Sequence, residues 1–528
     1  MMIFSPTLLH EYLDRSAEKF PKKVALVSGG ERWTYEALRE GSDRLSDALI
    51  GAGVRRHDRV VVFLDNSPES VVALYGILKA GGAFVMLNGT LKAGKLAYIL
   101  KDSGASALIT HARKTKVVEE ALSGLAPSFP VYWVGGTGHL SGDLLSRSSA
   151  WETAVAGTPE GYKRRHSVRG IDQDLAALIY TSGSTGEPKG VMSTHHNMVS
   201  AARSIITYIG NTQDDIIVDV LPLSFDYGLY QVLMSVMFGG TVVFESFLFP
   251  VNVLQTISRD RVTGFPLVPT IAAFILKLQN LEQFDLKSLR YMTNTGAALP
   301  PEHIRRLRTL LPEVKIFSMF GLTECKRVCY LPPEELDGRT ASVGVPMPDC
   351  EVFVLDEEGK EVGPGEVGEL VIRGSNVMRG YWNSPELTLK AYRPGKIPGE
   401  TWLYSGDFFR RDEEGFLYFL GRKDDMLKTK GERVSPKEVE NVLCELEGVA
   451  EAAVVGIPDE ILGQAIKVYI VRKPGSTLVE KDILKYCADH MESFMLPKYV
   501  EFLDEMPKSA HGKIDKSALK RGHKEEIL

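Results

Sequence analysis

The chain has 528 residues, 44% of them hydrophobic and 25% charged, with a formal net charge of −6. That is chain enough for more than one domain with a sizeable core, and the interspersed charges argue against nucleic acid as a main partner and against a polybasic membrane patch. The five cysteines (Cys325, Cys329, Cys350, Cys444, Cys487) are sparse, and although Cys325 and Cys329 have the spacing of one helix face, no second pair or nearby histidine completes a zinc set. This is a reduced, cytoplasmic profile.

The N-terminal stretch MMIFSPTLLHEYLDRSAEKF has no basic start and reaches charged residues early, so no signal peptide is expected. Residues 59–88, RVVVFLDNSPESVVALYGILKAGGAFVMLN, give the first α/β pattern. RVVVFL is a buried strand run; Ser67-Pro68-Glu69 starts a helix with a cap, a proline and an early acid; Gly81-Gly82 ends it before the strand AFVML. The same rhythm returns at 106–110, 215–223, 239–246 and 313–321. Alternation of this kind predicts parallel sheets covered on both faces. The most apolar stretch, 229–250, is broken by Gly239-Gly240 and carries Glu245, so it predicts a helix, a turn and a strand rather than a membrane span of roughly 20 unbroken apolar residues.

From about residue 340 the texture changes. EVFVLDEEGKEVGPGEVGELVIRG and DFFRRDEEGFLYFLGR read as strands joined by DEEG turns, an antiparallel, barrel-like piece. A charged segment, RKDDMLKTKGERVSPKEVE, leads to a smaller α+β unit with helices over 436–446 and 478–491. The expected fold class is therefore α/β: a large N-terminal body of α/β subdomains plus the barrel-like piece over 1–421, and a small C-terminal domain over 422–528.

Residues 181–190, TSGSTGEPKG, hold three glycines, two serines, two threonines and a lysine. Such a loop is dense in N–H and O–H donors and lets the backbone approach closely, as a phosphate cradle requires; a plain surface turn is the alternative. It is not a Walker A loop, because Pro188 and Gly190 stand where that motif needs Gly and Ser or Thr.

The loop, together with WTYEAL (33–38), LKAGGAFVMLN (78–88), GLTE (321–324), YSGD (404–407), GRKDD (421–425) and PKSAHGKIDK (507–516), resembles the ordered motif set of the adenylate-forming superfamily. That superfamily includes AMP-forming acyl-CoA synthetases, amino-acid adenylation enzymes and luciferases. The resemblance covers nearly the whole chain. It implies a ligase that converts a carboxylate and ATP into an acyl-adenylate and pyrophosphate. A thiol, from CoA or the phosphopantetheine of a separate carrier protein, then displaces AMP. It also implies a mobile C-terminal domain.

Residue by residue, the resemblance assigns Thr181, Ser182, Gly183, Ser184, Thr185, Gly186 and Lys189 to the β- and γ-phosphates. Asn294, Thr295, Gly296, Ala297 and Ala298 border adenine, and Phe320, before Gly321, stacks on it. Thr323 and Glu324 stand near the α-phosphate, with Glu324 helping to hold Mg²⁺; read alone, a glutamate in a turn is simply exposed. Asp407 accepts from the ribose diol, helped by Arg422. Lys513 is the cation bridging the substrate carboxylate and the α-phosphate, although blind reading gives only a solvated charge. Asp424 takes the hinge position and Gly431 the thiol path, while Lys428, Lys430 and Arg433 either meet a CoA phosphate or are surface charge.

For the substrate, Phe225-Asp226 resembles the FD pair whose aspartate binds an α-amino group in amino-acid adenylating enzymes, such as the stand-alone ligases that load proline onto carrier proteins. A pocket carboxylate needs a cation opposite it, and Lys326 and Arg327 are the protein's own candidates; if Arg327 pairs with Asp226, the acid need not carry an amine. The other positions matched to the pocket, Tyr227, Tyr230, Thr293, Thr295, Met319 and Val328, include several bulky side chains and favour a compact acid. Two other functions fit the same motifs: a luciferase-like oxygenase that oxidises its adenylate, and a non-catalytic nucleotide-binding homologue.

Overall fold

The computed structural model describes residues 6–125, 129–140, 142–155, 168–181, 187–247, 249–278, 281–296, 298–423, 427–429, 432–459, 463–508, 514–516 and 518–520. The chain divides into two compact units, one of Met1–Thr340, Gly344–Val352 and Ile372–Leu403, the other of Ala341–Val343, Phe353–Val371 and Tyr404–Leu528.

The first unit holds the two large sheets. One has seven strands in the order Ser148–Ala150, Val131–Val134, Ala105–His111, Arg59–Phe63, Ala83–Met86, Leu175–Thr181, Lys189–Thr194. All its pairings are parallel except the last, a hairpin between Leu175–Thr181 and Lys189–Thr194. The other has nine strands: Val345–Pro346, Cys329–Leu331, Lys315–Phe320, Tyr291–Asn294, Gly264–Leu267, Ile216–Asp219, Thr241–Phe244, Val24–Ser28, Glu31–Thr34. Its centre is parallel and both ends are antiparallel.

The local chemistry follows the sequence signals. Ser67 caps helix Pro68–Lys79 by accepting from the Ser70 N–H at 3.3 Å, and Gly81 leaves the helix at φ +77°. Every residue of that helix but Glu69 is buried, so the charge of Lys79 in its last turn needs internal neutralisation: the ammonium lies 2.7 Å from Asp14 and 2.6 Å from Asp43. The 229–250 stretch becomes helix Asp226–Phe238, a left-handed Gly239 and strand Thr241–Phe244. Among the described residues no helix is long and apolar enough to cross a membrane. The helix-face spacing of Cys325 and Cys329 is not used: Cys325 lies in a turn and Cys329 on strand Cys329–Leu331, both buried as free thiols.

Strands Cys350–Leu355, Val367–Gly374, Thr401–Arg411, Tyr392–Pro394 and Leu417–Arg422 form a third sheet. Both DEEG segments are turns, closed by Asp356 N–H to Lys360 O and Asp412 N–H to Phe416 O, each with its glycine left-handed. In the second unit, strands Glu432–Val434, Leu427–Thr429, Gly463–Arg472 and Val449–Asp459, with Tyr499–Leu503 on the other edge of Gly463–Arg472, carry helices Pro436–Glu445 and Glu480–His490. Val454, Ile466, Val468, Leu443 and Ile483 are the core between them.

Candidate functional site

Strand pairing brings the ends of the Gly/Ser/Thr loop together: Thr181 stands opposite Lys189 at the loop end of the hairpin, while residues 182–186 lie outside the described residues. A further segment, 378–382, runs along the second hairpin strand. The Arg379 N–H donates to Met192 O at 2.9 Å, Met192 N–H to Gly380 O at 2.9 Å, and Trp382 N–H to Gly190 O at 2.7 Å. Gly380, at φ +108°, permits this, since a Cβ there would stand 2.3 Å from Thr388 Cγ2.

That pairing aims Tyr381. Its ring faces the Lys189 ammonium at 5.8 Å, and its hydroxyl donates to Glu324 Oε1 at 2.7 Å. One tyrosine therefore touches both the lysine of the loop and the glutamate of GLTE, two motifs far apart in sequence. Thr323 and Glu324 are half-buried.

The GLTE turn is held tightly. Gly321 packs on the returning backbone so closely that a Cβ would lie 2.2 Å from Lys326 O. The Arg327 N–H closes a three-residue turn onto Cys325 O at 2.8 Å, and Lys326 at its centre takes φ +64°, a strained conformation for a non-glycine residue. Asn376, fully buried, clamps the turn by donating to Cys325 O at 3.0 Å and Arg327 O at 2.8 Å. Phe320 and Gly321 enter this turn half-buried. The strand Tyr291–Asn294 is followed by Gly296, φ +84°, where a Cβ would meet the Phe225 ring at 3.7 Å; Ala298 is exposed and Ala297 lies outside the described residues.

Beneath the turn the pocket residues meet. Tyr227 Oη sits 2.7 Å from the Thr293 carbonyl and 2.6 Å from its hydroxyl, and Phe225 packs edge-on to the Tyr227 ring at 6.2 Å. Tyr208 stacks on Tyr330 at 4.0 Å and donates to Met319 Sδ at 2.9 Å. Val328 and Tyr230 are fully buried. The two candidate cations for Asp226 part company here. Lys326 takes it: Nζ lies 3.7 Å from Asp226 Oδ2, donates to Asp226 O at 2.7 Å, and stands 4.3 Å from the centre of the Tyr230 ring. Arg327 instead donates to the Thr295 hydroxyl and lies 5.5 Å from the Tyr227 ring centre. Burial drives the Lys326 pKa down to about 7, against the pull of Asp226. Burial also drives Asp219, behind it, well up.

In the second unit Asp407, 2% exposed, lies on strand Thr401–Arg411 directly across from Arg422 on Leu417–Arg422, with Arg422 Nε 3.3 Å from its Oδ1. The Ser405 hydroxyl accepts from the Asp407 N–H at 3.1 Å and donates to Leu370 O at 2.6 Å, work that a threonine hydroxyl would do equally. Asp424, Gly431 and Lys513 lie outside the described residues. Tyr381 and Asn376 had no signal in the sequence beyond a glycine beside an aromatic, Gly380-Tyr381.

A family model described as AMP-binding enzyme matches residues 13–382, and one described as AMP-binding enzyme C-terminal domain matches 438–513. A long-chain-fatty-acid–CoA ligase of Bacillus subtilis (strain 168) is 30% identical over 526 residues, covering 96% of this chain and 93% of that protein. A feruloyl-CoA synthase of an Amycolatopsis species is 32% identical over 509 residues, covering 96% and 97%. Among solved structures, the anthranilate CoA ligase AuaEII in complex with anthranoyl-AMP superposes with a TM-score of 0.86 at 29% identity, covering 98% of each chain.

Proposed function

Because the chain belongs to the family of AMP-binding enzymes, we propose that it is an ATP-dependent, AMP-forming ligase that activates a compact carboxylic acid and passes the acyl group to the thiol of CoA. A carboxylate oxygen attacks the α-phosphorus of ATP, and pyrophosphate leaves with the bridging electron pair. The thiolate then attacks the acyl carbon, and AMP leaves. Both steps carry heavy negative charge, so catalysis depends on cations and donors fixed in advance where that charge develops.

The observation that carries this reading is the joining of Lys189 and Glu324 through Tyr381. Thr181 and Lys189, with the 182–186 segment between them in sequence, would hold the terminal phosphates. Glu324, with Oε1 taken by Tyr381, can offer its other oxygen to Mg²⁺, an ion that keeps most of its water shell and takes few protein ligands. Bound there, Mg²⁺ would neutralise phosphate charge. Thr323 would bond the α-phosphate, Phe320 and the 294–298 strand end would border the base, and Asp407 with Arg422 would take the ribose diol. Lys513 would bridge carboxylate and α-phosphate, Asp424 would be the hinge and Gly431 would line the thiol's path. Lys326 on Asp226 supports an acid without an α-amine, because the carboxylate already has its cation.

ATP–pyrophosphate exchange tests this directly. Exchange should require both Mg²⁺ and a carboxylic acid, and with CoA present the products should be AMP and a thioester. Cleavage to ADP, or no exchange with any acid, would overturn the reading; a thioester formed only on a carrier protein would correct the acceptor.

A further inference from the structure

Arg327 holds a charge that no acid among the described residues pairs with. It is 2% exposed, and a guanidinium stays protonated at any working pH. Its partners are neutral: the Thr295 hydroxyl, the Tyr208 hydroxyl and the face of Tyr227. Its Nε is buried and makes no hydrogen bond among the described residues. Of the neighbouring acids, Asp226 is met by Lys326, and Asp219, which interacts with Lys326 and not with Arg327, accepts the Leu221 N–H on Oδ1 at 3.1 Å while its Oδ2 makes no hydrogen bond among the described residues. Tyr230 adds a second buried group, its hydroxyl also without a hydrogen bond among the described residues and within the field of Arg327.

A buried cation is costly unless an anion meets it, and a guanidinium is shaped to meet a carboxylate with two parallel bonds. The anion is not the reacting carboxylate. The reacting carboxylate already has a proposed cation in Lys513, and Arg327 is buried whereas Thr323 and Glu324, the residues proposed for the α-phosphate and Mg²⁺, are half-exposed. Nor is it a phosphate, whose proposed donors are Thr181, Lys189 and the half-exposed Thr323. What remains is the far end of the acid.

We propose that Arg327 receives a second carboxylate, so that the substrate class is a short dicarboxylic acid activated at one end and held by Arg327 at the other. This rests on the ligase reading above and sharpens it. Tyr227, Tyr230 and Met319, buried and matched to the acid pocket, would limit the length between the two carboxylates. Activating a matched monocarboxylic acid would bring a methyl group to a buried guanidinium and leave its charge unpaired, the kind of mismatch that discriminates strongly.

The test is pyrophosphate exchange across aliphatic and aromatic mono- and dicarboxylic acids of matched length, with wild type, Arg327→Met and Arg327→Lys. In wild type kcat/KM should favour the diacid by about 100-fold or more, that ratio should collapse in Arg327→Met, and Arg327→Lys should recover part of it. Thermal melting supplies a second readout: the preferred diacid should raise the wild-type midpoint and leave that of Arg327→Met in place. A wild type that activates monoacids at least as well as their diacid partners would overturn the proposal while leaving the ligase intact, as would an Arg327→Met variant that loses both alike. If Arg327→Met does not fold, the wild-type ratio alone decides. Absence of exchange with every acid would instead remove the ligase reading on which the proposal rests.

Discussion

Tyr381→Phe separates the two contacts of one residue. It keeps the ring against Lys189 and removes the donor from Glu324 Oε1. If that hydrogen bond positions Glu324, the maximal exchange rate should fall about tenfold and the Mg²⁺ requirement should rise, while the melting temperature barely moves. An unaltered Mg²⁺ titration would detach Tyr381 from the site. Lys326→Met tests the neighbouring pair. It leaves the Asp226 carboxylate buried without its cation, so chemical denaturation should report a loss of about 3 kcal/mol. Equal or greater stability would mean that Asp226 has no need of Lys326. GLTECKR offers two adjacent cations, and residue order does not say which one turns toward Asp226. The choice is made by the tight turn at Lys326, a backbone conformation that no periodicity reveals.

Elements carry the next level of control, because the GLTE turn is held by a segment from elsewhere in the chain, through Asn376 and the Met378 N–H on Glu324 O at 2.9 Å. Asn376→Ala would leave the Cys325 and Arg327 carbonyls without their buried donor, and should cost about 2–3 kcal/mol and loosen the GLTE turn. A loss below about 0.5 kcal/mol would show that the turn holds itself. The helix His195–Ile209 gives a pH signature. Its first residue is buried and accepts the Leu9 N–H on Nδ1 at 3.1 Å, which requires a neutral ring, and burial lowers its pKa to about 4. The unfolded chain, with histidine near 6.5, therefore binds more protons between those values, so stability is full above about 6.5 and is lost as pH falls toward about 4. His195→Asn should flatten this part of the pH–stability curve; an unchanged slope would assign the acid sensitivity to other groups. Elements were the most legible scale. Ser67-Pro68 and Gly81-Gly82 mark a helix by backbone chemistry that acts locally, and the DEEG turns announce their own geometry. The pairing of 378–382 with the loop hairpin is long-range, and nothing local encodes it.

At the scale of the whole molecule, the motif set that suggested adenylate chemistry is spread over both compact units, with Lys189 and Glu324 in one and Asp407 in the other. The family was legible because phosphate binding demands unusual residue types in order. The substrate was not, because side chains such as Tyr208 and Arg327 have partners that are set by folding alone. Lys513 extends the account to the C-terminal end of the chain. Lys513→Ala should slow exchange by about 10²-fold or more while leaving ATP binding measurable, and a wild-type rate would take it out of the mechanism.

In the proposed reaction a carboxylate oxygen attacks the α-phosphorus of ATP. Turnover of an acid labelled with ¹⁸O in its carboxylate, followed by mass analysis of the nucleotide, tests that event itself. One labelled oxygen should appear in each AMP; unlabelled AMP, or label found in inorganic phosphate, would contradict it.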